Sequence, residues 1–219
     1  MISRTFAQLT SFVLIFWITG CAAPTRTAEG AGPAVPAPVR SFIGDGYGVA
    51  HPDAPPELAE FGQLVGLWRT EAEMRRQDGV WVRSAPGTWA WKYVLGGFAV
   101  SDLFYQGADN LPAYMANLAR DYLLTANRIY DVRQEKWQVA WMANGAGEVP
   151  GADFGTFTAV WTDGQLVMSS PPEDGAYGLQ QVVFYDISAD SFRWKSEYST
   201  DEGKTWNTVM RIQATRIQR

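Results

Sequence analysis

The 219-residue sequence contains one cysteine and one histidine, and these two scarcities exclude several kinds of site. A single thiol cannot form an intrachain disulfide. One Cys with one His cannot supply the ligands of the common zinc sites or Cys-rich metal sites. The sole histidine, His51, precedes the main body of the chain, so a Ser-His-Asp triad cannot be assembled there. We therefore assign no metal site and no catalytic residue.

Charge is also scarce, since only 19% of the residues are charged, and 18 Lys and Arg stand against 23 Asp and Glu. The resulting net charge of -5 argues against a protein that tracks a phosphate backbone, and we expect no nucleic-acid partner. Aromatic residues make up 14% of the chain, ten of them Trp, which is far too many for a disordered protein. The length favours one domain with a substantial core.

The apolar run near the amino terminus is too short to cross a membrane. Residues 12–18 are apolar, whereas a spanning helix needs about 20 such residues. Arg4 and the free amino group precede this run, and the small residues Thr19 and Gly20 follow it. This three-part layout predicts a secretory signal peptide over residues 1–20. A signal that is cleaved and has no further role is one interpretation.

The residues that follow the apolar run favour a more specific interpretation. Ile18-Thr19-Gly20-Cys21 resembles the lipobox of bacterial lipoproteins, in which an aliphatic residue and two small residues precede a cysteine. The resemblance implies that Cys21 carries diacylglycerol, that the signal is removed before it, and that the new amino terminus is acylated. Several acyl chains make a stable membrane anchor. Ala22 stands where the inner-membrane retention signal usually has Asp, so the outer membrane of the cell envelope is favoured if the host has one.

Residues 21–56 are predicted to be a lipidated amino terminus followed by a Pro/Ala-rich linker. Seven of the twelve prolines lie between residues 22 and 56, and proline removes backbone donors and fixes φ. We expect a disordered, semi-extended tether that holds the domain away from the bilayer. His51 lies near the end of this segment and is expected to be a solvated loop residue.

Residues 57–219 are predicted to form one all-β domain. Proline and an acidic residue before Leu58, Phe61 and Leu64 indicate a short helix, after which apolar residues recur with period two. Turn chemistry such as Gly96-Gly97 and Asp163-Gly164 separates the apolar runs. Strands are expected over residues 67–76, 87–95, 98–106, 126–132, 137–143, 154–161, 165–170, 179–187, 191–198 and 206–217. About ten short antiparallel strands indicate an up-and-down barrel or a sandwich.

Several short motifs in order resemble an uncharacterised bacterial family of lipocalin-like (calycin) barrels. They are Val65-Gly66-Leu67-Trp68, Tyr93-Val94-Leu95-Gly96-Gly97, Tyr130-Asp131 with Trp137 and Trp141, and Phe192-Arg193-Trp194. The resemblance covers roughly residues 57–217 and implies an antiparallel barrel of eight to ten strands, closed at one end by the amino-terminal helix. The family has no agreed activity. A related barrel family binds haem through a barrel histidine, which this domain lacks, and we expect no cofactor.

Aromatic residues form stripes on single strand faces. Trp89, Trp91 and Tyr93 share one face, as do Trp137 with Trp141, and Phe192, Trp194 and Tyr198. Barrels place alternate residues inside, so the stripes either fill the core or line an apolar ligand cavity. The candidate wall residues are Trp91, Trp141, Tyr185 and Trp194.

Asp102 and Arg128 interrupt otherwise apolar strand faces. If both point inward, burial demands a partner for each charge, and they form a pair or an anchor for the polar group of a ligand. A register shift of one residue would turn them outward, and solvated positions are the expectation favoured by the sequence.

Together these patterns predict a membrane-anchored envelope lipoprotein whose barrel binds a small hydrophobic or aromatic ligand. One alternative is a barrel enzyme that performs acid–base isomerisation or cyclisation with a carboxylate or tyrosine, although the absence of an evident catalytic constellation argues against it. Another alternative is an envelope interaction module with a filled core.

One further motif, Ser199-Thr200-Asp201-Glu202-Gly203-Lys204-Thr205-Trp206, matches the Asp-box pattern of sialidase propellers. It occurs once, without the repeat period of a propeller. We expect a stabilised β-hairpin turn and no glycosidase chemistry.

Overall fold

The computed structural model describes residues 34–84, 86–111, 120–145, 153–170 and 178–219. The predicted signal peptide, the predicted lipidation site Cys21 and the first part of the predicted linker lie outside the described residues. Among the described residues, no helix is both long enough and apolar enough to cross a membrane.

In the described part of the chain, two short α-helices precede eleven strands. The helices are α1 (Ala37–Ile43) and α2 (Leu58–Gly62). The strands are β1 (Gly66–Arg75), β2 (Trp81–Arg83), β3 (Gly87–Val94), β4 (Ala99–Gln106), β5 (Tyr122–Asp131), β6 (Lys136–Ala143), β7 (Asp153–Thr162), β8 (Gln165–Ser169), β9 (Leu179–Tyr185), β10 (Ser191–Ser199) and β11 (Asn207–Gln218). Single 3₁₀ turns lie at Leu95–Gly97 and Ala108–Asn110.

The strands form one sheet that closes on itself. Each strand from β3 to β11 pairs antiparallel with the next, β1 pairs with β3, and β11 returns to pair with β1 from Leu67 to Met74. The short β2 pairs with the end of β1 and continues along the edge that β3 occupies. The predicted all-β, antiparallel up-and-down barrel of about ten strands is confirmed.

Helix α2 plugs one end of the barrel. Phe61 is fully buried and packs edge-on against Trp137, with ring centroids 4.8 Å apart, and against Phe184 at 6.0 Å. Leu58 and Leu64 belong to the same core cluster, together with the buried Trp68 and Trp91. Aromatic side chains and the plug therefore fill this half of the interior.

Polar contacts from the barrel fix the plug in place. The indole of Trp68 donates to the carbonyl of Leu64 at 2.7 Å, and the indole of Trp137 donates to the Glu60 carboxylate at 2.8 Å. The guanidinium of Arg216 donates to the carbonyls of Val65 at 2.7 Å and Gln63 at 2.9 Å. Trp68 and Arg216 therefore hold the backbone carbonyls of the segment that follows α2, and Trp137 holds a side chain of the helix itself.

The later part of the predicted linker lies against the barrel. Helix α1 buries Val39 in a second cluster with Leu67, Ala90 and Leu103, which point outward from β1, β3 and β4. Lys92 donates to the Phe42 carbonyl and lies over the ring of that residue. The expectation of an extended tether does not hold for this segment, because its apolar residues recur at helical spacing and cover an apolar part of the outer wall.

The Asp-box motif forms the predicted stabilised turn between β10 and β11. The Asp201 carboxylate accepts hydrogen bonds from the backbone N–H of Thr205 at 2.8 Å, from the Thr205 hydroxyl at 2.7 Å and from the Ser199 hydroxyl at 2.7 Å. Gly203 has φ of 84°, which suits glycine. The hydrogen bonds from Thr205 and Ser199 lower the pKa of Asp201 from 3.8 to about 2.

We predict that this turn makes the stability of the fold depend on pH in the acidic range. Because the pKa of Asp201 is lower in the folded chain, its contribution is present above its unfolded pKa of 3.8 and is lost as the pH falls through about 2. The variant Asp201→Asn should show a smaller fall in Tm between pH 5 and pH 2 than the native chain. The variant Thr205→Val, which removes one donor, should raise the pKa of Asp201 toward its ordinary range in a carboxyl NMR titration. An unchanged pKa in that variant would contradict the assignment.

Candidate functional site

The half of the barrel away from α2 contains a cavity of about 340 Å³. Its lining comes from ten strands, with β5, β9, β10 and β11 prominent. The residues at its wall and floor are Met74, Trp89, Asp102, Phe104, Tyr122, Leu124, Ala126, Arg128, Trp141, Asp153, Phe157, Met168, Gln180, Val182, Phe184, Trp194, Ser196, Tyr198, Val209, Met210 and Ile212. The wall is mostly apolar, with a few polar groups, as in small-molecule sites.

Two of the predicted wall residues lie in this cavity. Trp141 of β6 and Trp194 of β10 both line it. Trp141 lies opposite Gly155 of β7 in the sheet, and a Cβ at Gly155 would come within 2.7 Å of the Trp141 indole nitrogen. Glycine at this position therefore provides the space that the indole ring occupies.

The other two predicted wall residues lie elsewhere. Trp91 points inward but is fully buried in the filled half, where its ring stacks on Phe61 at 6.2 Å. Tyr185 points outward, beside Arg193 and Arg211, because Phe184 is the inward residue at that level of β9. The prediction that Tyr185 lines the cavity is wrong.

Asp102 and Arg128 form a buried ion pair at the floor of the cavity. Nη2 of Arg128 lies 2.9 Å from Oδ2 of Asp102, and the side chains are 3% and 0% exposed, respectively. Asp102 lies beside Ala126 in the sheet, so Arg128 is its diagonal neighbour across β4 and β5. The other carboxylate oxygen accepts the backbone N–H of Ala126 at 2.9 Å. The expectation of solvated positions is wrong, because the register of β4 and β5 directs both side chains inward.

Arg128 also connects the floor of the cavity to the plug. Its guanidinium lies 4.4 Å from the centroid of the Trp91 ring and 4.9 Å from that of Phe61. Stacking against aromatic faces suits guanidinium, which is weakly hydrated and planar. The cation is therefore held between the filled half of the interior and the cavity.

Burial dominates the titration of the pair. Loss of solvent raises the pKa of Asp102, and this effect exceeds the opposing effects of Arg128, the Ala126 N–H and the Trp89 indole. The same loss of solvent lowers the pKa of Arg128, against the effect of Asp102. Each ion depends on the other to remain charged in this environment.

The pair does not use all the hydrogen-bonding capacity of Arg128. Among the described residues, Nε and Nη1 of Arg128 are buried and have no hydrogen-bond partner. The Trp89 indole nitrogen lies close enough to Asp102 to lower its pKa, but it makes no well-aligned hydrogen bond. The floor therefore holds an excess of donors, an unusual state for buried polar atoms.

Several wall residues escaped the sequence prediction. Phe157, Val182 and Phe184 line the cavity from β7 and β9. Period two on β7 gives a usable signal for Phe157, since it shares a face with the buried Ala159. Residues 182–185 on β9 are all apolar or aromatic, so the pattern there cannot separate the two faces.

Comparisons with known proteins give likenesses of fold only. No family model matches the sequence, and no curated protein is detectably similar to it. Among solved structures, the Rv2717c protein of M. tuberculosis is 12% identical, with a TM-score of 0.45 over 75% of this chain and 99% of that chain. The S-type phycobiliprotein lyase CPES of Guillardia theta is 11% identical, with a TM-score of 0.33 over 74% and 92% of the two chains. Likenesses at this level do not assign the chain to a family, and the fold described above rests on its strand pairing.

We predict strong coupling between the two ions. Asp102→Leu alone and Arg128→Met alone should each lower the free energy of unfolding by about 3–5 kcal/mol, because each leaves an unpaired buried charge. The double variant should lose much less than the sum, since apolar replacements of similar size leave no charge to desolvate. Denaturant unfolding of the four chains measures the coupling. Additive and negligible losses would show that the pair is unimportant to the fold.

Proposed function

We propose that the barrel binds a small, mostly apolar ligand in its cavity, and that a lipid on Cys21 anchors the mature protein to the membrane of the cell envelope. The observation that carries the first part is the cavity of about 340 Å³, walled largely by apolar and aromatic side chains. Such cavities are the usual sites of small-molecule binding. The second part rests on the lipobox resemblance, whose residues lie outside those that the structure describes.

The size of the cavity limits the ligand. An apolar cavity of about 150 Å³ holds one benzene ring. A cavity of about 340 Å³ therefore has room for roughly two fused rings or an aliphatic group of similar volume. The aromatic wall residues Trp89, Trp141 and Trp194 suit a ring-containing ligand, because ring faces and edges pack favourably at offset or perpendicular angles.

Small residues at the wall favour the hypothesis of a ligand cavity and argue against a core that is filled by side chains alone. Ala126 lies between Asp102 and Trp141 in the sheet, at a point where a larger side chain would project into the space. Gly155 is likewise required beside Trp141. In the half that α2 closes, the corresponding positions hold bulky rings such as Trp91 and Trp137. The interaction module with a filled core is therefore the less well supported alternative.

The acid–base enzyme has one observation in its favour, because Asp102 is an inward carboxylate at the floor of a cavity and burial raises its pKa. However, one of its oxygens pairs with Arg128 and the other accepts the Ala126 N–H. A carboxylate held in this way is better placed to position a cation than to exchange protons with a substrate.

We predict that a residue that fills the cavity blocks binding. The full chain, in a fixed concentration of non-ionic detergent on both sides of a dialysis membrane, should retain the hydrocarbon 2-isopropylnaphthalene. In the variant Leu124→Trp the new indole occupies the cavity, and the affinity should fall about tenfold or more. The exposed Asn127 lies on the outer face of the same strand, so Asn127→Trp is the matched control and should bind like the native chain. Equal retention by the native chain and Leu124→Trp would rule out binding in this cavity.

The membrane anchor has a separate test. When the full chain is expressed with its own leader in a bacterium fed an alkyne-bearing palmitate, it should acquire the label and sediment with the membranes. Cys21→Ala should remove the label, because the family attaches lipid through this thiol. Labelling that persists in the Cys21→Ala chain would contradict the lipidation site while leaving the cavity proposal untouched.

A further inference from the structure

The floor of the cavity has an unusual polar composition. It carries one buried carboxylate and one buried guanidinium, 2.9 Å apart, so the pair at the floor has no net charge. Oδ1 of Asp102 accepts the Ala126 N–H, and Oδ2 contacts Arg128 as an ion pair without a well-aligned hydrogen bond. Among the described residues that line the cavity, Nε and Nη1 of Arg128 and the indole nitrogen of Trp89 have no hydrogen-bond partner, so the unpaired donors outnumber the one acceptor, Oδ2, that lacks a hydrogen bond.

From this arrangement we infer that the ligand of the cavity is an uncharged molecule with a carbonyl group. The carbonyl oxygen lies at the floor of the cavity and accepts hydrogen bonds from Arg128. The inference rests on the proposed function, since it names the chemical class of ligand for the same cavity. Both Arg128 and Asp102 line that cavity, and Arg128 is nine-tenths buried or more.

The choice of a carbonyl follows from the groups available at the floor. A hydroxyl or an amine would bring a further donor to a floor where unpaired donors already outnumber unpaired acceptors, and where Oδ2 of Asp102 contacts Arg128 and Oδ1 accepts the Ala126 N–H. A carbonyl brings only acceptor lone pairs and can use the free N–H groups of the guanidinium. Hydrogen bonds to a charged donor are the stronger kind, particularly where water is excluded.

The choice of an uncharged ligand follows from the ion pair. Asp102 already neutralises Arg128, so a ligand carboxylate would enter an apolar cavity as a second anion without a second cation. No Lys, and no Arg other than Arg128, lines the cavity among the described residues. Asp153, the other charged residue in the lining, is itself an acid and would repel the anion. Burial of an uncompensated charge is strongly unfavourable.

Aromatic contacts hold the guanidinium in place beside the cavity. The ring centroids of Trp91 and Phe61 lie 4.4 and 4.9 Å from Cζ of Arg128. Nη2 contacts Asp102, and Nε and Nη1 are left without a hydrogen-bond partner among the described residues. The arginine is therefore pre-ordered, and a ligand does not need to immobilise it on binding.

The test uses three naphthalene probes that differ only in the substituent at position 2. They are 2-acetylnaphthalene, which carries a ketone, 2-isopropylnaphthalene, which replaces the ketone with a hydrocarbon of the same shape, and 2-naphthoate, which replaces it with a carboxylate. Each is measured by equilibrium dialysis against the full native chain and against the double variant Asp102→Leu/Arg128→Met, in the same detergent. Partition of a probe into micelles is the same for both chains and cancels in the comparison.

We expect the ketone to bind the native chain at least about tenfold more tightly than it binds the double variant. The hydrocarbon should bind the two chains alike, which also shows that the double variant is folded. The naphthoate should bind the native chain more weakly than the ketone does. The variant Arg128→Lys keeps the charge that pairs with Asp102 but lacks the planar guanidinium group. In this variant the ketone should bind no more tightly than the hydrocarbon, and this comparison remains informative even if the double variant does not fold.

Three results would overturn the inference. If the ketone has no advantage in the native chain while the hydrocarbon still binds, Arg128 does not select the ligand, and the proposed cavity function stands without it. If naphthoate binds most tightly, the site selects an anion. If none of the three probes binds the native chain, the proposed function itself fails.

Discussion

Pairing of β11 with β1 is the constraint on which the rest of the structure depends, because it closes the sheet and gives every strand an inside and an outside. The pairing extends from Leu67 to Met74 on β1, with a bulge at Leu67 and Trp68. Once the ring is closed, alternation sends every second residue into a common interior. That interior is longer than the five-residue helix α2, which lies at one end of the barrel. A filled half and a cavity follow from this difference in length.

The Asp102–Arg128 pair lies where these two halves meet. On the plug side the guanidinium packs against Trp91 and Phe61, and on the other side it borders the cavity. A buried ion pair is weak evidence for stability, since apolar residues of the same volume often serve a core equally well. Its position at the boundary of the cavity, with donor atoms unused, agrees with the role in ligand binding that we propose. The pair also lies beside Ala126, one of the small residues that leave the space open.

The sequence predicts the barrel well because its signals are local. Alternation on strands such as β6, and turn residues such as Asp163-Gly164, specify strands and reversals without reference to distant residues. The face on which a residue lies is predictable only where one face is polar. On β9 both faces are apolar, because the inner wall and the outer wall each use apolar residues, and the pattern therefore does not show that Tyr185 lies on the outer face. The solvated positions expected for Asp102 and Arg128 were wrong because the register between β4 and β5 is a long-range property.

Depth along the barrel axis is a second property that alternation cannot encode. Trp91 and Trp141 each occupy inward positions in aromatic stripes, and nothing in their local sequence separates them. In the structure the two side chains differ in the residues that they contact. Trp91 lies under Phe61 of the plug, whereas Trp141 lies beyond the reach of α2 and borders the cavity. One residue in the sequence does reflect the different surroundings of Trp91 and Trp141. Gly155 lies opposite Trp141 in the sheet and has no room for a Cβ. A glycine opposite a tryptophan in a closed barrel indicates that the ring turns toward the wall, and this orientation leaves the centre of the barrel free for a ligand.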